Sequence, residues 1–302
     1  MIQYSKLIYN LKINILFLEL LSILVPSVNC VLLEQDIYRC INMKFCANLA
    51  FLFPEKGLLN RYQLAKEAGF KAVETGFPYG LEKDEVVAAK NASGIQQILI
   101  NIYTGDVSKG ELGFAALPGK EKEFRDSIVK TIDFAKGLGA KKIHIMAGKL
   151  EGNATDCNDS TYENNLRYAA NLLEKENILG LIEPINKYSV PNYYMNSYEK
   201  AIAVLKKINS PNLKLMLDIF HLQLIKGNIA HTINELKQYI GHVQIAQAPD
   251  RNEPNTNGEI NFKYVLETLK REGYDDWIGL EYKPLGDTRE GLKWIEELGY
   301  TL

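Results

Sequence analysis

The segment Leu181-Ile182-Glu183-Pro184-Ile185-Asn186 is a short apolar run interrupted by a carboxylate. Three later segments share this design, with one polar residue inside or directly after a short apolar run: Leu215-Met216-Leu217-Asp218, His242-Val243-Gln244 and Ile278-Gly279-Leu280-Glu281. The segments recur about every 25 to 40 residues, which is typical of successive parallel strands separated by helices. Because parallel strands end at the same face, we expect the four polar side chains to meet there.

The same alternation extends over the chain from Met43 onwards. Amphipathic stretches separate eight apolar runs, which are residues 45–49, 72–74, 95–100, 142–146, 179–183, 213–218, 242–246 and 277–282. Eight strand–helix units predict an α/β fold, a (β/α)8 TIM barrel that occupies residues 43–302 as a single catalytic domain. No GxGxxG motif follows the first run, which disfavours a dinucleotide-binding fold. We also expect Ser160 or Thr161 to cap the helix that runs to Glu176.

The composition limits the classes of protein to which the chain can belong. Its 302 residues are 46% hydrophobic and 24% charged, which allows a large packed core. The formal net charge of −2 indicates no basic face, so we expect a small-molecule substrate and no nucleic-acid partner. The four cysteines form no CxxC pair, which disfavours a zinc knuckle and indicates a reduced, cytoplasmic protein. The sequence leaves open whether the chain forms a homo-oligomer.

Residues 1–42 differ from the repeating pattern. Lys6 and Lys12 precede an apolar run, residues 13–25, that polar residues interrupt and that is too short for an easy membrane span. The run resembles the core of a signal peptide, whereas Met43 stands directly before the first predicted strand. We interpret residues 1–42 as an N-terminal extension or targeting-like segment outside the barrel. A wrongly chosen start, a secretory or organellar signal and a structural helix all stay open.

The four polar residues have the chemistry of a metal site. Three carboxylates and one amide oxygen make an all-oxygen set, which suits Mg²⁺ or Mn²⁺. Carboxylates packed together without a cation would repel one another and raise one another's pKa values, so we expect a divalent ion among them. A single carboxylate at a strand end is more often a helix cap or an ion-pair partner, so only the succession of four such residues indicates a metal site.

Several motifs in residues 43–302 resemble the xylose isomerase-like barrel superfamily and, within it, the hydroxypyruvate isomerase branch. These motifs are Phe45-Cys46-Ala47-Asn48-Leu49, His144-Ile145-Met146-Ala147-Gly148, Glu183-Pro184-Ile185-Asn186, Asp218-Ile219-Phe220-His221, His242-Val243-Gln244-Ile245-Ala246, Arg251-Asn252-Glu253-Pro254 and Gly279-Leu280-Glu281-Tyr282. The glutamine at position 244 distinguishes this branch from related ketose epimerases, which usually carry histidine there. An acidic residue that such epimerases often carry near position 189 is replaced by Ser189.

The resemblance implies a role for each site residue. The family's metal ligands fall on Glu183, Asp218, Gln244 and Glu281, and its acid–base pair falls on Glu183 and Glu281. Its substrate contacts fall on His221 and Arg251. The implied reaction interconverts hydroxypyruvate and tartronate semialdehyde (2-hydroxy-3-oxopropanoate) by metal-assisted enediolate proton transfer, on a small hydroxy-keto acid or sugar substrate.

Three other functions stay open at this point. A ketose 3-epimerase or another sugar isomerase would use the same barrel and metal. The nuclease branch of this barrel needs many histidines for its zinc ions, and the chain has four. A barrel without activity, acting as a binding protein, is disfavoured by the complete ligand set. Among the remaining residues, His144 has a core role or a site role, and His242 shares the strand face of Gln244 and is a candidate to support it.

Overall fold

Eight parallel strands close into a barrel in the order in which they follow one another along the chain. The computed structural model describes residues 43–302, and the predictions for residues 1–42 lie outside this range. The strands are β1 Lys44–Asn48, β2 Ala72–Thr75, β3 Gln96–Asn101, β4 Lys142–His144, β5 Leu179–Ile182, β6 Leu213–Asp218, β7 Ile240–Ile245 and β8 Trp277–Leu280. Because β1 pairs with both β2 and β8, the sheet has no open edge, and the predicted (β/α)8 TIM barrel is confirmed.

Helices connect the strands and form the outer layer of the barrel. They are α1 Leu58–Glu67, α2 Lys83–Ser93, α3 Glu121–Leu138, α4 Asp156–Glu176, α5 Tyr198–Ile208, α6 Ile219–Ile225, α7 Ile229–Leu236, α8 Phe262–Arg271, α9 Thr288–Gly291 and α10 Trp294–Glu297. None of the helices in residues 43–302 combines the length and the apolar character that a membrane span requires.

Helix α3 illustrates how the sequence builds this outer layer. Its buried residues recur at intervals of three and four, as an amphipathic helix requires, and include Phe124, Ile128, Ala135 and Leu138. Gly139 ends the helix in the left-handed conformation, with φ of 72°. Full burial of one large apolar side chain contributes about 1.5–3 kcal/mol, so this stripe fixes the helix against the barrel.

The structure corrects the prediction for the start of helix α4. Thr155 caps the helix and forms a capping box with Asn158, whereas Ser160 and Thr161 lie inside it. The Ser160 hydroxyl donates to the Asp156 carbonyl one turn earlier. A Ser or Thr followed by an acid three residues later is frequent within helices too, and that ambiguity made the predicted cap wrong.

A short helix that the sequence did not predict follows β6 directly. Asp218, the last residue of β6, is also the N-cap of α6, and its side chain accepts a hydrogen bond of 2.8 Å from the Phe220 N–H. Helix α6 buries His221, which follows Asp218 by three residues. This tight strand-to-helix junction brings Asp218 and His221 to the same end of the barrel.

Candidate active site

The four predicted metal ligands all lie at the carboxyl ends of their strands. Glu183 directly follows β5, Asp218 is the last residue of β6, and Glu281 directly follows β8. Gln244 lies one residue before the end of β7, beside Asp218 in the strand register. The barrel thus presents these side chains at one face, where the active sites of TIM-barrel enzymes lie. Their individual roles stay predictions.

Glu183, Asp218 and His221 form a tight buried group. One ligand atom from each lies within 4.8 Å of the other two, the separation expected of residues that can share a metal ion. Arg251 connects Glu281 to this group, because its Nη2 atom lies 3.1 Å from Asp218 Oδ2 and 2.5 Å from Glu281 Oε2. The structure therefore brings together three of the predicted ligands and both predicted substrate contacts.

The guanidinium of Arg251 is held rigidly in this site. It lies between the rings of Phe51 and Phe220, with its central carbon 5.0 Å and 4.8 Å from the two ring centres. Its Nε atom donates to the Glu281 carbonyl. The Nη1 atom makes no hydrogen bond with any of residues 43–302, which leaves one edge of the guanidinium free for an anionic group.

Burial and mutual repulsion raise the pKa values of the carboxyl groups. Burial raises the pKa of Glu183 well above its ordinary value, and the charges of Glu281 and Asp218 raise it further. Burial also raises the pKa of Glu281 to about 8, although the charge of Arg251 opposes the shift. Such perturbed carboxyl groups are typical of sites that transfer protons or bind cations.

The residues present fit a divalent cation. Glu183 Oε1 and Gln244 Oε1 are buried oxygens that have no hydrogen-bond partner among the described residues. A buried polar atom without a partner costs free energy unless a ligand or water satisfies it. A doubly charged ion together with Arg251 would also balance the charges of Glu183, Asp218 and Glu281. Oxygen ligands of this kind favour Mg²⁺ or Mn²⁺.

His221 is poised to donate a hydrogen bond into the carboxylate group. Its Nδ1 atom accepts from the side-chain amide of Asn186 at 2.6 Å, and the Asn186 oxygen faces the N–H groups of Tyr188 and Ser189. Burial lowers the pKa of His221 well below its ordinary value, so the ring is neutral and its one proton lies on Nε2. That atom lies 3.5 Å from Asp218 Oδ2, which favours a donor role over metal ligation.

His144 adds a second neutral histidine on the other side of Glu183. Its Nε2 atom lies 3.5 Å from Glu183 Oε2 and makes no hydrogen bond with the described residues. Burial lowers the pKa of His144 to about 3, so the pair is not an ion pair at neutral pH. The structure thus places His144 at the site, which the sequence left undecided between a core role and a site role.

Glu74 and Asn48 belong to the site, although their sequence context predicted no role for them. Glu74 is fully buried in β2 and accepts from Asn48 Nδ2 and Gln244 Nε2, each at 2.7 Å. Asn48 also donates to Glu281 Oε1 at 3.1 Å. The sequence did contain a signal for Glu74, which is a carboxylate at the end of the otherwise apolar run Ala72-Val73-Glu74. A carboxylate in a buried strand is strongly unfavourable unless it has hydrogen-bond partners.

A second group of possible ligands, Cys46, Glu74 and His242, lies deeper in the barrel. Here the Lys142 ammonium lies 3.1 Å from His242 Nδ1 and already provides a positive charge. Burial works against ionisation of Glu74, yet hydrogen bonds from His242, Gln244 and Asn48 hold its pKa below the ordinary value. This group is therefore satisfied by protein donors and has no need of a metal ion.

Comparison with known proteins identifies the class. The sequence model of the family described as "Xylose isomerase-like TIM barrel" matches residues 62–298, which is most of the chain. The chain belongs to this family.

Individual relatives show which branch of this family the chain resembles. The chain is 39% identical over 255 residues to an Escherichia coli (strain K12) protein named hydroxypyruvate isomerase, a match that covers 84% of this chain and 98% of the relative. It is 39% identical over 254 residues to a Cupriavidus necator protein named 2-oxo-tetronate isomerase, covering 84% and 97%. A solved Brucella melitensis structure, titled AP endonuclease, family 2, matches with a TM-score of 0.82 and 37% identity, covering 84% and 98%. The resemblance to the hydroxypyruvate isomerase branch, and the classification as an enzyme of an isomerase family, are confirmed.

Proposed function

We propose that the chain is a hydroxypyruvate isomerase that interconverts hydroxypyruvate and tartronate semialdehyde. The observation that carries this proposal is the buried pair of carboxyl groups with raised pKa values, Glu183 and Glu281, joined through Arg251 to Asp218. Moving a proton between neighbouring carbons needs two such groups near one substrate. The name of the Escherichia coli relative supports the choice of substrate.

Glu183, Asp218, Gln244 and Glu281 would hold the divalent ion, Mg²⁺ or Mn²⁺. When bound, the ion would act as a Lewis acid toward negative charge that develops on the substrate oxygens. The protein's contribution is to keep these ligands buried and oriented. The unpartnered oxygens of Glu183 and Gln244 support this assignment.

The acid–base work falls to Glu183 and Glu281. One carboxylate removes a proton from the hydroxymethyl carbon of hydroxypyruvate, and the other carboxyl group delivers a proton to the neighbouring carbonyl carbon. The hydroxyl proton of the first carbon passes to the former carbonyl oxygen, which completes the conversion to the aldehyde. In the metal-free protein burial raises the pKa of Glu281 to about 8, and a bound cation would lower it. His221 Nε2–H would donate to a substrate oxygen, and the free edge of Arg251 would pair with the substrate carboxylate.

Two rival functions make different demands on the site. A ketose 3-epimerase would act on a free ketose, and the family habit for that activity is histidine where this chain has Gln244. A nuclease needs a basic face and a histidine-rich zinc site. Of the four histidines, His242 is bound to Glu74 and Lys142, and the net charge is −2.

The deciding experiment is an assay of the purified full chain on hydroxypyruvate with added Mg²⁺ or Mn²⁺. In D₂O we expect tartronate semialdehyde to form and deuterium to enter the carbon-bound positions, both detectable by NMR. Free ketohexoses and a duplex containing an abasic site serve as matched alternative substrates. Turnover of a ketohexose, or cleavage of the duplex, without action on hydroxypyruvate would reject the proposal. If the metal-reconstituted protein acts on none of these substrates, a binding protein without catalytic activity would be favoured.

We further propose that residues 43–302 are the whole catalytic domain and act in the cytoplasm, with residues 1–42 as an extension. Mass spectrometry of the natural N-terminus tests this assignment. A mature protein that begins after a cleaved leader would contradict the cytoplasmic assignment.

A further inference from the structure

Glu74 is the centre of a buried polar network below the candidate metal site. Its Oε1 atom accepts from Asn48 Nδ2 and Gln244 Nε2, and its Oε2 atom accepts from His242 Nε2 at 2.7 Å. The side chain is completely inaccessible to solvent. The Cys46 thiol donates more weakly to Oε2 at 3.8 Å. The three nitrogen donors on one buried carboxylate fix its position and also fix the orientation of each donor.

The direction of every hydrogen bond in this network is determined. An ammonium group can only donate, so His242 Nδ1 must accept from Lys142. The neutral ring then carries its proton on Nε2 and donates it to Glu74. Lys142 also donates to Asp276 Oδ2 at 2.7 Å, at the amino ends of the strands. Hydrogen bonds therefore run from Lys142 through His242 to Glu74 and connect the amino-end face of the barrel to the candidate site, with only one possible assignment of donors and acceptors.

Gln244 has a forced orientation for the same reason. An ionised carboxylate can only accept, so the nitrogen of the Gln244 amide must face Glu74 and its oxygen must face away. That oxygen is the buried Oε1 atom that lacks a partner. Of the two ends of the amide, only the oxygen can ligate a hard cation. Glu74 thus selects the end of the Gln244 side chain that is useful as a ligand.

Asn48 extends the same control to Glu281. The backbone N–H of Ala50 donates to Asn48 Oδ1 at 2.9 Å, which settles the orientation of the amide. Its nitrogen therefore faces two carboxylates and donates to Glu74 Oε1 and Glu281 Oε1. Glu74 is thus connected to two of the four proposed ligands, directly to Gln244 and through Asn48 to Glu281.

We infer that Glu74 is a positioning residue for the metal site, which it serves by orienting Gln244 directly and Glu281 through Asn48. This inference rests on the proposed function, since it assumes that these residues hold a divalent ion. It adds a buried carboxylate that touches neither the ion nor the substrate. The partners that orient metal ligands typically change metal affinity 10- to 100-fold when they are removed, which sets the expected size of the effect at about that range.

The test measures Mn²⁺ binding to the full chain, by calorimetry and by the electron paramagnetic resonance signal of the ion. The variants are Glu74→Gln, Gln244→Ala and the double variant. Tyr62→Phe is the control, because it removes a buried hydrogen bond of 3.0 Å to Gln97 beside strand β2 without contacting a proposed ligand. Thermal unfolding of each variant reports on whether the fold is retained.

We expect Glu74→Gln to weaken Mn²⁺ binding about 10- to 100-fold in the wild-type background. In the Gln244→Ala background the same substitution should weaken binding by a clearly smaller factor, because only the route through Asn48 to Glu281 is left to disturb. Tyr62→Phe should bind Mn²⁺ like the wild type. A purely structural role for Glu74 would give equal factors in both backgrounds and would overturn the inference, as would wild-type affinity in Glu74→Gln.

Lys142→Met provides a second route if Glu74→Gln does not fold. It removes the donor that fixes the His242 ring but leaves Glu74 in place, and we expect Mn²⁺ binding to weaken about 10-fold. Unchanged affinity in this variant would overturn the proposed path from Lys142. Failure of the wild-type protein to bind Mn²⁺ would overturn the proposed metal site itself, and with it this inference. Intact wild-type binding with insensitive variants would reject the inference alone.

Discussion

Two groups of carboxylate and histidine lie a short distance apart in this barrel, and their electrostatics are opposite. In the upper group, Glu183 and His221 lie near Asp218, and burial with mutual repulsion raises the pKa of Glu183. In the lower group, Glu74 and His242 are equally buried, yet the pKa of Glu74 is lowered. Both groups are geometrically able to hold a metal ion.

The difference lies in the number of hydrogen-bond donors. Glu74 accepts from three nitrogen donors and from the Cys46 thiol and has Lys142 nearby, whereas Glu183 Oε1 accepts from none of the described residues. A buried carboxylate can ionise when donors replace the water it has lost, and otherwise it keeps a proton or takes a cation. Geometry alone would thus suggest two metal sites. The number of hydrogen-bond donors shows that the upper group is the candidate metal site, whereas the carboxylate of the lower group already has its partners in the protein.

The largest effect that would sharpen this comparison is loss of turnover in Glu183→Gln and Glu281→Gln. Each substitution removes a proposed acid–base group, so we expect turnover to fall about 10²- to 10⁴-fold or more, with the fold retained. Steady-state isomerisation of hydroxypyruvate and thermal unfolding measure the two quantities. Glu272→Gln, on the distant helix α8 end, is the control and should keep normal turnover. Near-normal isomerisation by either site variant would reject its assigned role.

A smaller effect, on the free energy of unfolding, is expected from a substitution in strand β8 beside the lower group. A Cβ atom at Gly279 would lie 2.4 Å and 2.5 Å from the two Glu74 oxygens, so Gly279→Ala must displace this carboxylate. We expect a loss of about 1–3 kcal/mol in the free energy of unfolding, measured by urea denaturation. Gly57→Ala is the control, since nothing lies within 4 Å of its Cβ position. Equal stability of the two variants would show that Glu74 is not held rigidly.

The smallest expected effect is the pH dependence of stability that arises from Glu281 beside the upper group. In the metal-free native protein Glu281 keeps its proton up to about pH 8, whereas the unfolded chain releases it above its ordinary pKa of 4.5. At this group the native state then binds more protons between these values, so the contribution of Glu281 to stability should fall as pH rises from about 5 to about 8. The slope is at most about 1.4 kcal/mol per pH unit for one proton.

Urea denaturation in the presence of a chelator at several pH values measures this slope. Glu281→Gln removes the titrating group, so the wild type should lose stability relative to this variant as pH rises over the same range. Burial lowers the pKa values of His144, His221 and His242 in both proteins, and their effect cancels in this difference. A difference that stays constant between pH 5 and 8 would contradict the raised pKa of Glu281. Saturating Mn²⁺ should reverse the trend, because a bound cation favours the ionised carboxylates.

The sequence predicted the barrel and the proposed ligands because both depend on local order. Each strand is a short apolar run, and each ligand stands at the end of its own run, so no knowledge of distant contacts was needed. The positions of Glu183, Asp218 and Glu281 at the strand ends follow from that rule.

The role of Glu74 could not be predicted in this way. Its partners come from β1 and β7, which are distant in sequence, and only the closed barrel brings them together. Asn48 is equally unremarkable in sequence, because its meaning depends on two carboxylates that follow it by 26 and 233 positions. Helix α6 was missed because seven residues are too few for a clear helical period.

The distribution of the Glu74 network along the chain has a consequence for how the protein is made. Glu74 and Lys142 emerge from the ribosome in the first half of the barrel, while His242 and Gln244 arrive much later. A half-formed barrel that buried Glu74 or Lys142 would hold charges without partners, which is strongly unfavourable. We therefore expect early collapse of the first four strands to be disfavoured, with water excluded from the interior only when the last strands are in place.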